Sequence, residues 1–186
     1  HISYSEDTYG VDPIDLKYAY YDGNTWAVSV IHSDTKAGES SIAIDSNDVV
    51  HSAYIVRVVG NPDSKIVYYA NNHDGNWNKE QITSDSYGDT LSLVLDSNDK
   101  PIISFLDHKD STSKIKIASQ SDAVFEIDTV SIAEQPYRYD GLSTTIDSEN
   151  NLFFALFQRS TNSSIVDQQG AYCIKRWSGN DTVEIL

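Results

Sequence analysis

Cysteine, long apolar runs and targeting signals are scarce or missing in this 186-residue chain. The single cysteine, Cys173, excludes a disulfide bond within the chain, and we expect it to be a small packed side chain. No apolar run approaches the roughly 18 residues that cross a membrane, so no membrane span is predicted. No signal-peptide pattern stands at the start and His1 is not an initiating residue, which favours a processed product or a fragment of a longer protein.

Positive charge is scarce as well. The chain has 13 Lys and Arg residues against 28 Asp and Glu residues, which gives a net charge of −15. Such a chain repels polyanions at long range, so we expect no nucleic-acid partner. The sequence also lacks a glycine-rich phosphate loop, a Cys/His metal cluster and a nucleophile elbow. We therefore assign no catalytic residue, no metal site and no cofactor.

A repeat is the main positive feature of the sequence. An aliphatic residue followed by Asp-Ser and a short polar turn occurs three times, and Asp45, Asp96 and Asp147 stand 51 residues apart. A short alternating apolar run follows each turn. Asn and Asp at these positions favour a β-hairpin turn, since they accept a positive φ and bond their own backbone. A calcium loop is less favoured, because so few residues cannot supply the six to eight oxygen ligands that calcium takes.

A period near 50 residues with four short strands per repeat is typical of β-propellers. We predict an all-β chain of four-stranded antiparallel blades, about 3.75 of them, with the first strand of the first blade missing. The predicted blades cover residues 1–31, 32–83, 84–130 and 131–186. The predicted core residues on the first strands are Ile42, Ile44, Leu93, Leu95, Thr144 and Ile146, with Trp26 and Trp77 packed between blades.

These repeated segments resemble a known family. The motif Leu95-Asp96-Ser97-Asn98, the pair His51 and Tyr54, the run Lys17-Tyr18-Ala19, and Asp74-Gly75 with Trp77 look like repeats of the Asp-box type. Repeats of this type occur in sialidase-superfamily propellers and in secreted or surface propellers of bacteria and archaea. The resemblance covers the whole chain. It implies a propeller fold and a secreted or cell-surface location, with which the sequons at Asn162 and Asn180 are compatible.

Long links are expected between the second and third strands of each blade and between consecutive blades. Antiparallel order would bring all of them to one face, where binding residues are usually found. The predicted links are Glu6–Asp15, Arg57–Ser64, Asp107–Ser113, Arg159–Ala171, His32–Ser40, Ser84–Thr90 and Ser131–Gly141. The predicted ligand-binding residues in or beside these links are Tyr9, Arg57, Tyr87, Tyr137, Arg138 and Arg159. Arginine suits a carboxylated ligand because its guanidinium matches a carboxylate bidentately.

Two functions fit this pattern. The favoured one is a non-catalytic extracellular module that binds a glycan or a protein, or that forms a structural part of a surface protein, with further blades of the same polypeptide or a second copy completing the ring. The alternative is a glycan-active enzyme of sialidase or lyase type, with part of its site outside this chain. Histidine could serve as a base there. His1 and His51 share one slot of the repeat, however, which favours a structural role, and His32, His73 and His108 are expected in loops or turns without a convincing partner.

Overall fold

The computed structural model describes residues 1–6, 14–58, 60–85, 88, 90–109, 112–133, 137–160, 171–177 and 184–185. Fifteen β-strands lie in these ranges, and none of the described residues is α-helical. Accordingly, no helix of the described chain has the length and apolar character to cross a membrane. The strands are β1 Ile2–Glu6, β2 Ile14–Tyr21, β3 Trp26–Thr35, β4 Ala37–Ile44, β5 Val50–Val58, β6 Asn61–Asn71, β7 Asn78–Gln81, β8 Leu91–Leu95, β9 Pro101–Asp107, β10 Ser113–Ser121, β11 Val124–Ala133, β12 Tyr137–Ile146, β13 Leu152–Ser160, β14 Ala171–Trp177 and β15 Glu184–Ile185.

These strands form four sheets, in each of which strand order follows chain order. The first sheet has three strands, β1 to β3, and the second has β4 to β7. The third sheet has β8 to β11, and the fourth has β12 to β15. Every neighbouring pair is antiparallel. The predicted all-β class and the four-stranded antiparallel sheets are therefore confirmed, while the predicted blade boundaries and the arrangement of the sheets around an axis stay predictions.

Alternating side chains explain why these segments form strands. In β10, Ile115 and Ile117 are fully buried, whereas Lys114 and Lys116, which alternate with them, are partly exposed. A period of two sends successive side chains to opposite faces, so such a segment can bury one face. Strand β12 contains a bulge. Its register on β13 shifts between Asp140 and Leu142, and Gly141 takes a φ of 68° there. Glycine adopts that backbone angle without steric cost.

The chain divides into two compact units, His1–Asp85 and Ser86–Leu186. In the first unit the core lies between the first and second sheets and contains the buried Leu16, Ile31, Val50 and Tyr54. In the second unit the core lies between the third and fourth sheets and contains Ile115, Ile117, Leu152, Phe154 and Leu156. Of the predicted core residues, Leu93 and Thr144 are buried, whereas Ile44 is 39% exposed.

The three Asp-Ser turns have one geometry. Asp45 Oδ1 accepts the backbone N–H of Asn47 and of Val49, both at 2.8 Å. Asp96 and Asp147 make the same two bonds to the residues two and four positions later, at 2.8 to 2.9 Å. The fourth residue of each turn, Asp48, Asp99 or Asn150, has a φ of 62 to 64°. The hairpin interpretation of the repeat is thus confirmed, with the carboxylate holding the turn closed.

Two of the three predicted links between blades are wrong in extent, whereas Ser84–Thr90 falls between β7 and β8 as predicted. β3 runs to Thr35 and β4 begins at Ala37, inside the predicted link His32–Ser40. β12 begins at Tyr137, inside the predicted link Ser131–Gly141. The segments are polar, and the prediction treated polarity as a sign of a loop. Strand pairing satisfies backbone groups whatever the side chains, so polar residues at a solvent-facing sheet end remain in the ladder.

Replacing Asp96 with Ala should lower the free energy of unfolding by about 1–3 kcal/mol, since two backbone N–H groups lose a charged acceptor. Chemical denaturation of the wild type and the variant measures this. Asp128→Ala is the matched control, because Asp128 is exposed on β11 and substitutions at such sites usually change stability by less than about 0.5 kcal/mol. Equal stability of the Asp96 variant and the control would contradict the role given to the turn.

Candidate ligand-binding site

Each histidine of the shared repeat slot lies within hydrogen-bond distance of a tyrosine hydroxyl; the His1 pair is partly buried and the His51 pair is buried. His1 Nδ1 is 2.6 Å from the Tyr18 hydroxyl, and His51 Nδ1 is 2.6 Å from the Tyr69 hydroxyl. Burial raises the pKa of Tyr69 to about 12, so its phenol is protonated at neutral pH and can donate to His51 Nδ1. His51 and Tyr69 are 7% and 3% exposed, so the pair joins strands rather than meeting a substrate. This agrees with the structural role expected for a recurring histidine.

His51 also connects the second sheet to its turn. Its Nε2 lies 3.5 Å from Asp45 Oδ2. Burial alone would raise the pKa of Asp45, but the backbone N–H groups of Val49 and Asn47, together with His51, hold it below its usual range. The carboxylate therefore remains charged at neutral pH and has one oxygen on the turn and the other facing the imidazole. Among the described residues no group of three or more His, Cys, Asp or Glu side chains is placed to hold a metal ion.

Two other histidines have partners that the sequence did not reveal. His32 is in β3 rather than in a loop, and its Nδ1 is 3.0 Å from the Tyr54 hydroxyl. Burial, and then the charge of Lys79, lowers the pKa of His32. His108 Nδ1 is 2.9 Å from Ser113 Oγ. Sequence reasoning missed these partners because each comes from a different strand or from the far side of a turn.

A basic pair lies at one end of the second sheet. Arg57, near the end of β5, is exposed. Its backbone N–H donates to the Lys36 carbonyl at 3.2 Å, so these two residues lie across from each other just before β4. Lys65 of β6 is the cross-strand partner of Arg57 on its other side. Three cationic residues therefore occupy adjacent positions at this end of the sheet.

The fourth sheet has a basic pair at its corresponding end. Arg138, the second residue of β12, is the direct cross-strand partner of Arg159, which is near the end of β13. Directly opposite positions in an antiparallel pair are close neighbours, and like charges there disfavour pairing unless an anion or solvent compensates them. The register thus places the two arginines at directly opposite positions.

The two basic pairs are related by the repeat. Arg57 and Arg159 are 102 residues apart, as are Lys36 and Arg138, which is twice the 51-residue spacing of the turn aspartates. The intervening repeat has His108 and Tyr87 at these positions. Sequence reasoning named the arginines singly and missed this periodicity and Lys36. The signal that reveals both is the spacing already measured on the aspartates.

In the third sheet the charge at this end is neutralised. Asp107, 2% exposed and adjacent to His108, contacts Lys116 Nζ at 2.6 Å and accepts the N–H of Lys109 at 3.0 Å. Burial alone would raise the pKa of Asp107, but these two donors hold it below its usual range. The third sheet therefore offers an ion pair with a buried carboxylate and a hydrogen-bonded histidine where the second sheet offers an exposed arginine.

Of the remaining predicted site residues, the structure describes only the backbone of three and leaves two undescribed. Tyr9 and Tyr87 lie outside the described residues. Tyr137, Arg138 and Arg159 lie in strands and not in loops, and their backbone register alone is described. The structure therefore brings Arg138 and Arg159 together by register, and it places Arg57 at the end of its own sheet beside Lys36.

A shallow depression of about 150 Å³ lies on the outer face of the fourth sheet. Its lining residues are Ser143, Thr144, Thr145, Phe153 and Ala155. Ser143 is the cross-strand partner of Ala155, and Thr145 is that of Phe153, so these four side chains share one face. The depression is separate in position from the basic pair, which is at the beginning of β12.

Comparison with known proteins adds a fold but no family. No family model matches this chain, and no curated protein matches it. A Dyadobacter fermentans protein of unknown function is similar in structure, with a TM-score of 0.61 at 11% identity, and 97% of this chain aligns with 60% of that chain. This chain thus spans 60% of the length of that protein.

A fucose lectin from Kordia zhangzhouensis, solved in complex with methyl-fucoside, is also similar, with a TM-score of 0.50 at 10% identity. The likeness covers 80% of this chain and 97% of the lectin chain. At these identities both likenesses concern the fold alone. The chain therefore has an all-β fold that a fucose lectin shares, while the Asp-box resemblance has no support from a family model.

Replacing Asp107 with Asn should lower the free energy of unfolding at pH 7 by roughly 3 kcal/mol, because Lys116 loses its buried partner. A depressed folded pKa means that this stabilisation is present above the ordinary pKa of Asp and is lost as pH falls through the folded value. The difference between wild type and variant should therefore shrink below pH 4. Urea denaturation from pH 7 to pH 3 measures it, with Asp128→Asn as the exposed control. A difference independent of pH would contradict the ion-pair explanation.

Proposed function

We propose that this chain is a lectin-like, glycan-binding module of a secreted or cell-surface protein, with its sheets arranged as blades of a β-propeller. In this proposal the ligand lies at the sheet end that carries the basic pairs, and Tyr9, Tyr87 and Tyr137 contribute to the same edge. The observation that carries the function is the recurrence of the pair Lys36 and Arg57 as Arg138 and Arg159, two repeats later.

The propeller arrangement is supported by the repeat and by the packing within each unit. A 51-residue period that contains a four-stranded antiparallel sheet matches the size of a propeller blade. In unit His1–Asp85 the first sheet packs face to face on the second, and in unit Ser86–Leu186 the third packs on the fourth. Stacking of this kind is how repeated sheets bury faces that a single sheet cannot cover.

The ligand class follows from the chemistry of the pairs. Arginine donates two parallel hydrogen bonds to a carboxylate, which makes it the preferred residue for planar anions. A net charge of −15 opposes an anion at long range, but salt screens that field beyond roughly 8 Å at physiological ionic strength. Direct contact with a basic pair therefore outweighs the remote charges. A glycan that carries a carboxylate, such as a uronate or a sialic acid, fits this site better than a neutral one.

A glycan array of neutral and carboxylated sugars, probed with the labelled chain at physiological salt, tests the proposal. We expect binding to carboxylated glycans, and a loss of at least about tenfold in affinity for Arg57→Ala and for Arg138→Ala, equivalent to about 1.4 kcal/mol. Titration calorimetry on the best glycan measures both variants.

Lys100→Ala is the matched control, because it removes one positive charge from an exposed residue of the turn after β8, at the other end of its sheet. Its affinity should equal that of the wild type. The proposal fails if the array shows no bound glycan, or if both arginine variants bind as tightly as the control.

A further inference from the structure

One face of the first sheet is apolar and uncovered. We call it the rear face; its exposed members are Ile2, Tyr21, Trp26, Val28 and Val30, between 43% and 55% exposed. The pairings Ile2 with Ala19, Ala19 with Val28, Tyr21 with Trp26 and Lys17 with Val30 place them on one side of the sheet. Large apolar side chains grouped on one face mark an interaction surface rather than ordinary scatter.

The equivalent face of the second sheet is covered, and what covers it is the first sheet. The shared slot of His1 and His51 makes Ile2 and Tyr4 equivalent to Ser52 and Tyr54. Ser52 and Tyr54 are both 0% exposed, and the Tyr54 hydroxyl contacts His32 of the first sheet at 3.0 Å. In this protein a rear face is therefore built to lie against the opposite face of another sheet.

The tryptophans show the same relation. Trp77 occupies the repeat position of Trp26, after the Asp-Gly turn of its sheet. Its indole Nε1–H donates to Ser29 Oγ of the first sheet at 3.0 Å, and its ring meets Tyr18 edge-on at 5.5 Å. Trp26 is 54% exposed, and its ring contact is with Tyr21 of its own sheet. The position that anchors the second sheet onto a hydroxyl-bearing face is thus exposed in the first.

The fourth sheet carries an uncovered face of the complementary kind. We call it the front face; it consists of Ser143, Thr145, Phe153 and Ala155, which line the depression of about 150 Å³. By the 102-residue spacing, Ala155 is equivalent to Ala53 of the second sheet. Ala53 is 0% exposed, whereas Ala155 is exposed.

We propose that a second copy of this chain covers the rear face of the first sheet with the front face of its own fourth sheet. The contact is head-to-tail, because the packing observed within a unit joins a rear face to a front face and never two rear faces. A partner of the same kind of sheet is the one that the repeat specifies.

Sedimentation velocity on the 186-residue chain tests this contact. The wild type should sediment faster than a monomer at about 100 µM, and Val28→Lys on the rear face or Ala155→Glu on the front face should each weaken association by at least about tenfold. Both positions are solvent-exposed, so both variants should keep the circular-dichroism spectrum and the melting temperature of the wild type. Val124→Lys is the matched control, since Val124 is 61% exposed on β11 and belongs to neither face.

A mixture of the two variants distinguishes this arrangement from others. In a head-to-tail contact the Val28→Lys copy keeps an unchanged front face and the Ala155→Glu copy keeps an unchanged rear face, so mixing the two variants should restore association. A wild type that remains monomeric at about 100 µM overturns the proposal. The proposal is also overturned if Val28→Lys abolishes association while Ala155→Glu leaves it unchanged, because two rear faces would then meet. Neither result bears on glycan binding, which the basic pairs would provide in one copy.

Discussion

An antiparallel sheet has two faces, and it buries both only when another layer lies against each. Within unit His1–Asp85 this constraint explains why Tyr54, Val50 and Ala70 of the second sheet are packed against Leu16, Tyr18 and Ile31 of the first. Within unit Ser86–Leu186 it explains the equivalent layer between the third and fourth sheets. Burial of apolar area is the main favourable term in folding, so a sheet with one exposed apolar face lacks part of that stabilisation.

Which side chains reach which face depends on the register of each hairpin. A slip of one residue would send every side chain of a strand to the opposite face. The aspartate of each Asp-Ser turn opposes such a slip, because its Oδ1 holds the N–H groups two and four residues later in all three sheets. Farther from the turn the register shifts at a bulge, between Ala37 and Ser40 in the second sheet and between Asp140 and Leu142 in the fourth. Beyond that bulge Arg57 lies beside Lys36, and Arg138 lies opposite Arg159.

The sequence predicts much of this fold, because the turn aspartates recur in identical local chemistry. Strand ends are harder to predict, since segments such as Ala37–Ser40 and Tyr137–Asp140 pair through their backbone while their side chains look like those of loops. The network of Asp45, His51 and Tyr69 joins a turn and two strands, and no local pattern encodes that meeting. The basic pairs were within reach of prediction, but the middle repeat has Tyr87 and His108 at these positions, which hides the period from a search for identical residues.

The distribution of charge bears on the class of ligand. A polyanion has to bring many phosphates or sulfates close to a chain of net charge −15, and each of them meets the acidic surface. A sugar with one carboxylate brings a single charge, which contacts only the cationic pair, while the rest of the ring remains neutral. In the third repeat Tyr87 and His108 replace the basic pair, and the neighbouring Asp107 binds Lys116. In the proposed function, the second and fourth sheets are consequently the ones that bind a carboxylate.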